Sequence, residues 1–215
     1  MNPRYCVHSA CWRRATSQPG YALLAMIVFA LAAPLSARAA SHVVLLGAYI
    51  PKEPWIGSSA ALEQNVRPFD AWAGKSIALL GTFIDIDGYP PTSTSSPYNI
   101  VLCELRTISS GGYTPFVNLQ TTRAITDLIP DPTTGESAAD KKIGFFLDAI
   151  AQWQKEYPNR ILLLAPLPEM NSNNEKYYGQ PQQFRDAWRH LRHLGVKAGL
   201  TSKVRWVWAP NGYPD

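Results

Sequence analysis

The stretch LLLAPLPEMNSNN, residues 162–174, sets one carboxylate, Glu169, and one amide, Asn171, directly after an apolar run. A carboxyl at the exit of a dry strand suits proton transfer. A partly apolar site keeps a carboxylic acid protonated nearer to neutral pH than water does. Other apolar runs close on similar groups. Tyr49 ends HVVLLGAYI (42–50), Asp85 and Asp87 stand at the end of SIALLGTFIDI (76–86), Gln120 ends TPFVNLQ (114–120), and Trp208 and Asn211 end KVRWVWAPN (203–211). Aromatic rings, amides and carboxylates converging on one face suit a polyol. The C–H faces of a sugar ring pack on aromatic rings, while its hydroxyls need fixed polar partners.

The elements that would hold these groups alternate along the chain. Five apolar runs read as buried strands: 42–50, 76–86, 114–120, RILLLAPLP (160–168) and 203–211. Between them lie helical patterns. Residues 59–72 carry Ala61, Leu62, Val66 and Trp72 at helical spacing, and YNIVLCELRTI (98–108) runs into Gly111-Gly112. Asp140 is positioned to cap a helix with Ile143, Phe146, Leu147, Ile150 and Trp153 on one face. Pro181 suits the first turn of another, with Phe184, Ala187, Trp188, Leu191 and Leu194 inward. Strands without a polar face that alternate with amphipathic helices predict a parallel α/β fold. It is either a (β/α) barrel or a five-stranded doubly wound sheet. In both, ligands sit at the carboxyl ends of the strands.

The first 39 residues read as an export signal. Arg4, Arg13 and Arg14 precede a 13-residue apolar run from Tyr21 to Ala33, and an Ala37-Arg38-Ala39 box follows. A membrane span wants about 20 apolar residues. Cleavage after Ala39 and a secreted or periplasmic protein are therefore expected, with retention as an anchor the alternative. The leader holds four of the 20 lysines and arginines and none of the 16 acids, so the remaining residues 40–215 balance at 16 against 16. No basic patch argues for nucleic acid, and no stable membrane insertion is expected after cleavage. Cys103 alone of the three cysteines lies outside the leader, in an apolar flank that predicts a buried structural thiol.

The segment PEMNSNNEKYYGQPQQFRDAWRHLRHLGVKAGLTSKVRWVWAPNG (168–212) resembles glycoside hydrolase family 26, a group mainly of β-mannanases with some β-glucan and xylan hydrolases. The shared features are an acid–Met–Asn run after strand four, an aromatic–Gly pair, AWRH in a helix and VWAPN in strand five. GAYIPKEPW (47–55) and LLGTFIDI (79–86) are similar to that family's first two strands. The resemblance implies a (β/α)8 barrel and retaining double displacement, with Glu169 as general acid/base. It further implies Asn171 as a partner of sugar hydroxyls or of Glu169, Tyr178 as a stacking platform and Trp208 on the cleft floor. It calls for a polysaccharide or oligosaccharide substrate and for no cofactor or metal.

Three departures stand out. Pro168 occupies a position that is His in many members. Asn174 stands where a Trp is common. The family's nucleophile is a glutamate on strand seven, and five strands are legible here. A barrel of this type takes about 250 residues, so residues 40–215 read as its first five β/α units, with little hydrolysis expected. A non-catalytic envelope carbohydrate-binding protein is the alternative. Among other chemistry-bearing residues, His190 and His193 read as a solvated helix face, Asp85 and Asp87 as caps or loop ligands, and Tyr177 as a cover for its loop.

Overall fold

The computed structural model describes residues 46–50, 59–88 and 97–212. The leader, residues 42–45 of the first strand and most of PPTSTSSP (90–97) lie outside them. Five parallel strands form one sheet: β1 (Gly47–Tyr49), β2 (Leu79–Asp85), β3 (Thr114–Gln120), β4 (Leu162–Pro166) and β5 (Val204–Trp206). The helices are α1 (Ser59–Asn65), α2 (Arg67–Ala73), α3 (Pro97–Ser110), α4 (Asp140–Glu156) and α5 (Pro181–Lys197), and a short 3-10 turn covers Ile125–Leu128.

The strands lie in sequence order, β1-β2-β3-β4-β5. A flavodoxin-type doubly wound sheet reverses direction and has the order 2-1-3-4-5. Right-handed crossovers that always step the same way put every helix on the same face. The helix contacts agree with this. Trp153 of α4 donates its indole N–H to Ser109 Oγ of α3 at 2.9 Å, and Arg106 of α3 pairs with Glu156 of α4 at 2.5 Å. The Asp140 carboxylate at the start of α4 lies 2.7 Å from His190 Nε2 in α5. Among the described residues the architecture is four β/α units and a fifth strand, wound singly as in part of a (β/α) barrel, and the doubly wound alternative is set aside.

Strand register divides the side chains into two faces. Leu80, Thr82 and Ile84 of β2, Val117 and Leu119 of β3, and Leu162 and Leu164 of β4 are buried against the helices. All of these but Leu80 and Thr82 join Val101, Leu105, Ile143, Phe146, Ile150, Trp153, Phe184 and Leu191 in the main core. A smaller cluster seats α1 and α2, with Leu62, Val66, Ile77, Leu80, Ile108 and Tyr113. On the other, concave face, Phe83 stands opposite Asn118 and Asp85 opposite Gln120, while Phe116 stands opposite Leu163. Tyr49 shares that face, edge-on to Phe83 with ring centroids 5.0 Å apart.

Several expectations need correction. The helix expected over 59–72 is two short ones. Val66 sits between them, and Pro68 lies in the first turn of the second, where its missing N–H leaves no bond unmade. Asp140 does not cap α4: Ala139 is the N-cap residue and Asp140 is the first helical residue. The Asp140 carboxylate instead accepts from Ser137 Oγ at 2.5 Å and meets His190. His190 is accordingly buried rather than solvated, and only His193 is exposed. Cys103 is half-buried on α3. Strand five is shorter than expected, because the chain leaves the ladder at Trp206.

Candidate active site at the carboxyl rim

The exit of β4 is built on unusual backbone. Leu167 (φ 52°) and Glu169 (φ 58°) both adopt the left-handed conformation on either side of Pro168. That conformation costs an L-residue roughly 1–2 kcal/mol, so tertiary bonds must hold it. The Leu167 amide donates to Leu119 O at 2.8 Å, which ties the exit to β3. The Glu169 amide donates to Ala209 O at 2.7 Å, beyond β5. The Tyr177 hydroxyl donates to Pro168 O. Tyr177 is wholly buried beside Phe184, ring centroids 5.9 Å apart, so it is a core residue of this loop and not merely its cover.

Asn171 completes the bracing. Its Oδ1 accepts the Asn211 amide at 2.6 Å and its Nδ2 donates to Asn211 O at 3.0 Å. Asn171 and Asn211 are therefore joined, with the side chain of the first turned onto the backbone of the second. Such a doubled bond fixes the spacing between the β4 and β5 exits.

Around this brace lie the other rim residues. The Glu169 side chain is exposed. Tyr49 is 46% exposed, Tyr178 48% and Trp208 66%, so three large aromatic surfaces face solvent at strand exits or the adjoining loop. Trp208 donates its indole N–H to Met170 Sδ at 3.0 Å, which pins the ring beside the acid's neighbour. Gln120 is half-buried at the end of β3, across from Asp85. Behind Trp208 opens a hollow of about 590 Å³ lined by Met170, Phe184, Arg185 and Trp188.

A solved structure of a modular endo-β-1,4-mannanase from Cellulomonas fimi, from work on glycoside hydrolase family 26 mannanases, is similar to this chain. The identity is 15% and the TM-score 0.46, over 78% of this chain and 42% of that one. This chain thus spans less than half of that enzyme's length. No family model matches the sequence, and no curated protein sequence matches it.

The two aspartates at the exit of β2 have separate tasks. Asp85 Oδ1 accepts the Asp87 amide at 2.8 Å. Asp87 accepts from Thr121 Oγ1 at 2.9 Å, Arg123 Nε at 2.6 Å and Lys142 Nζ at 3.0 Å, so it is a loop ligand that joins the β2 and β3 exits to α4. Burial opposes its charge, and the bonds from Lys142, Arg123 and Thr121 outweigh burial and hold its carboxyl below the usual range. Trp206 packs edge-on to Trp188 of α5 at 5.8 Å, on the helix side of the sheet. Residues two apart share a strand face, but β5 ends at Trp206, which is the core member, while Trp208 beyond it is exposed.

Glu175 escaped sequence reasoning. It lies half-buried in the loop 167–180, where burial pushes its carboxyl up and the charge of Glu169 adds to the shift. Glu104 escaped it too. Glu104 is a wholly buried carboxyl on α3 that accepts from Thr82 Oγ1 at 2.5 Å across the helix–strand interface. A glutamate on a helix reads as solvated unless a polar residue on the facing strand marks its partner, and Thr82 was that signal. Among the described residues no group of three or more His, Cys, Asp or Glu could hold a metal ion, and no helix is long and apolar enough to cross a membrane.

Proposed function

We propose that this chain is the acid-bearing part of a β-glycosidase site that binds β-linked oligosaccharide along its carboxyl rim, with Glu169 as general acid/base. The observation that carries the reading is the backbone of Glu169. A glutamate held at φ 58° at the end of β4 and tied to Ala209 keeps an exposed carboxyl on the rim that also bears Tyr49, Gln120, Trp208 and Asn211. Strain retained at a strand exit is typical of functional positions. A glycosidic oxygen leaves readily only when protonated, and one carboxyl can supply that proton and later activate water.

Asn171 acts as a positioning residue, with its amide on Asn211. Tyr178, Tyr49 and Trp208 offer stacking surfaces, and Gln120 a hydroxyl partner. Retaining hydrolysis needs a second carboxylate about 5–5.5 Å from the first. The sequence resemblance assigns the nucleophile to a seventh strand, and none of the described carboxylates takes that role here. Residues 1–39 direct export and are removed after Ala39, leaving residues 40–215 as a secreted or periplasmic domain.

The test is a calorimetric titration with β-1,4-manno-, gluco- and xylo-oligosaccharides, paired with assays on mannan and mixed-linkage glucan. Micromolar to millimolar binding, retained in Glu169→Gln while any turnover falls, supports the reading. Absence of binding to all three series overturns it.

A further inference from the structure

Residues 40–215 contain one methionine, Met170, because Met1 and Met26 belong to the leader. It follows Glu169 directly, and its thioether accepts the indole N–H of Trp208 at 3.0 Å. A thioether is a weak acceptor on a flexible stem, so it holds a partner only where the backbone on both sides is fixed. Here it is. The Glu169 amide donates to Ala209 O at 2.7 Å, the Val207 amide donates to Leu164 O at 2.8 Å, and Asn171 is locked onto Asn211. Met170 and Trp208 therefore meet across one junction, the link between the β4 and β5 exits.

Trp208 is 66% exposed beyond the end of β5. A ring that packing covers so thinly keeps one pose only if a directional bond selects it. We propose that Met170 is a positioning residue of the candidate site, which holds the Trp208 ring as a stacking surface beside Glu169 and lets it go when a peroxide oxidises the sulfur. The inference rests on reading this rim as a carbohydrate site.

Met170 is half-buried and its bond to Trp208 lies at the surface, so a small oxidant reaches the sulfur. Hydrogen peroxide transfers one oxygen to it. A sulfur lone pair forms the S–O bond, the O–O bond breaks, and the second oxygen leaves as water with both protons. Sulfur loses two electrons and the peroxide gains them. The product is a polar, chiral sulfoxide in one of two epimers. An oxygen on the lone pair that faces Trp208 fills the 3.0 Å gap and pushes the indole outward. In either epimer a polar group replaces the thioether in the wall it shares with Phe184 and Trp188. The stacking surface is thereby displaced while the acid itself is left chemically unchanged.

The experiment compares the full chain with Met170→Leu and Met170→Gln, by tryptophan emission and by titration with β-1,4-linked oligosaccharide. Leucine conserves volume but accepts no hydrogen bond, whereas the glutamine amide offers an oxygen at similar reach. Met170→Leu is expected to shift the emission and to weaken binding roughly two- to tenfold, the scale of one hydrogen bond. Met170→Gln is expected to restore most of both. The emission shift should vanish in a Trp208→Phe background, which ties it to that ring.

Hydrogen peroxide should add one oxygen to Met170, read by peptide mass, and reproduce both losses, and methionine sulfoxide reductase should reverse them. Met170→Leu treated alike should change no further, which sets aside Cys103 and the tryptophans as the cause. Emission unchanged in Met170→Leu, equal losses in Met170→Leu and Met170→Gln, or Met170 oxidised with emission and binding intact each overturn the proposal. If Met170→Leu does not fold, the peroxide arm on the unmutated chain decides. Normal binding with an unresponsive emission removes this inference alone. Emission that follows the expected pattern, with no oligosaccharide bound by any of the proteins, removes the reading of the rim and leaves the sulfur–indole contact standing.

Discussion

The side-chain amide of Asn171 closes on the backbone of Asn211 at both ends, N–H to Oδ1 at 2.6 Å and Nδ2 to carbonyl at 3.0 Å. Two strand exits, forty residues apart in sequence, are thereby held at one spacing. Each such bond contributes about 0.5–1.5 kcal/mol net. Asn171→Ala is expected to lower stability by roughly 1–3 kcal/mol and to weaken oligosaccharide binding. Asn171→Asp loses the donor, sets a carboxylate against the Asn211 carbonyl, and is expected to do no better. Urea unfolding of the three proteins measures the first effect and calorimetry the second.

Glu169 sits where glycine would be more comfortable. Glycine adopts positive φ without the steric cost that other residues meet. Glu169→Gly should therefore raise stability by about 1 kcal/mol while removing the carboxyl, whereas Glu169→Gln should leave stability nearly unchanged. The comparison of urea midpoints reports how much strain the exit stores. A Gly variant no more stable than the Gln variant would show that the left-handed backbone is not strained.

Asp87 gathers Thr121, Arg123 and Lys142 while only 16% of its side chain is exposed. Its folded carboxyl titrates below the usual range. The sign follows directly. A depressed carboxyl contributes stability that is present above its unfolded value, about 3.9, and is lost as the pH falls through the lower folded value. Asp87→Ala should cost roughly 2 kcal/mol at pH 7, and the gap to the unmutated protein should narrow steadily below pH 4. Thermal or urea melts between pH 2 and 7 give both numbers.

Much of this molecule is legible in its residues. LLLAP has no polar face because helices cover one side and neighbouring inward residues the other, and TPFVNLQ keeps one wholly apolar face in Pro115, Val117 and Leu119. Their periodicity signals burial clearly, and the alternation with helices follows. Whether the sheet winds singly or doubly is decided by which strands pair, and local pattern does not encode that. His190 shows a second limit. Two histidines three apart on a polar-looking helix read as solvated, yet Asp140, fifty residues earlier, reaches Nε2 and draws the first of them inside. Tyr177 shows a third. Nothing in NNEKYYG distinguishes this buried tyrosine from the exposed one that follows it.

The rim itself is tested most directly by mapping amide shift changes while β-1,4-linked oligosaccharide is titrated into the 15N-labelled chain. The account predicts that perturbations concentrate at Tyr49, Gln120, Glu169, Tyr178 and Asn211 and spare the opposite end of the sheet, at Gly74, Gly112 and Lys203. Shifts centred on that opposite end, or none at millimolar sugar, would contradict it.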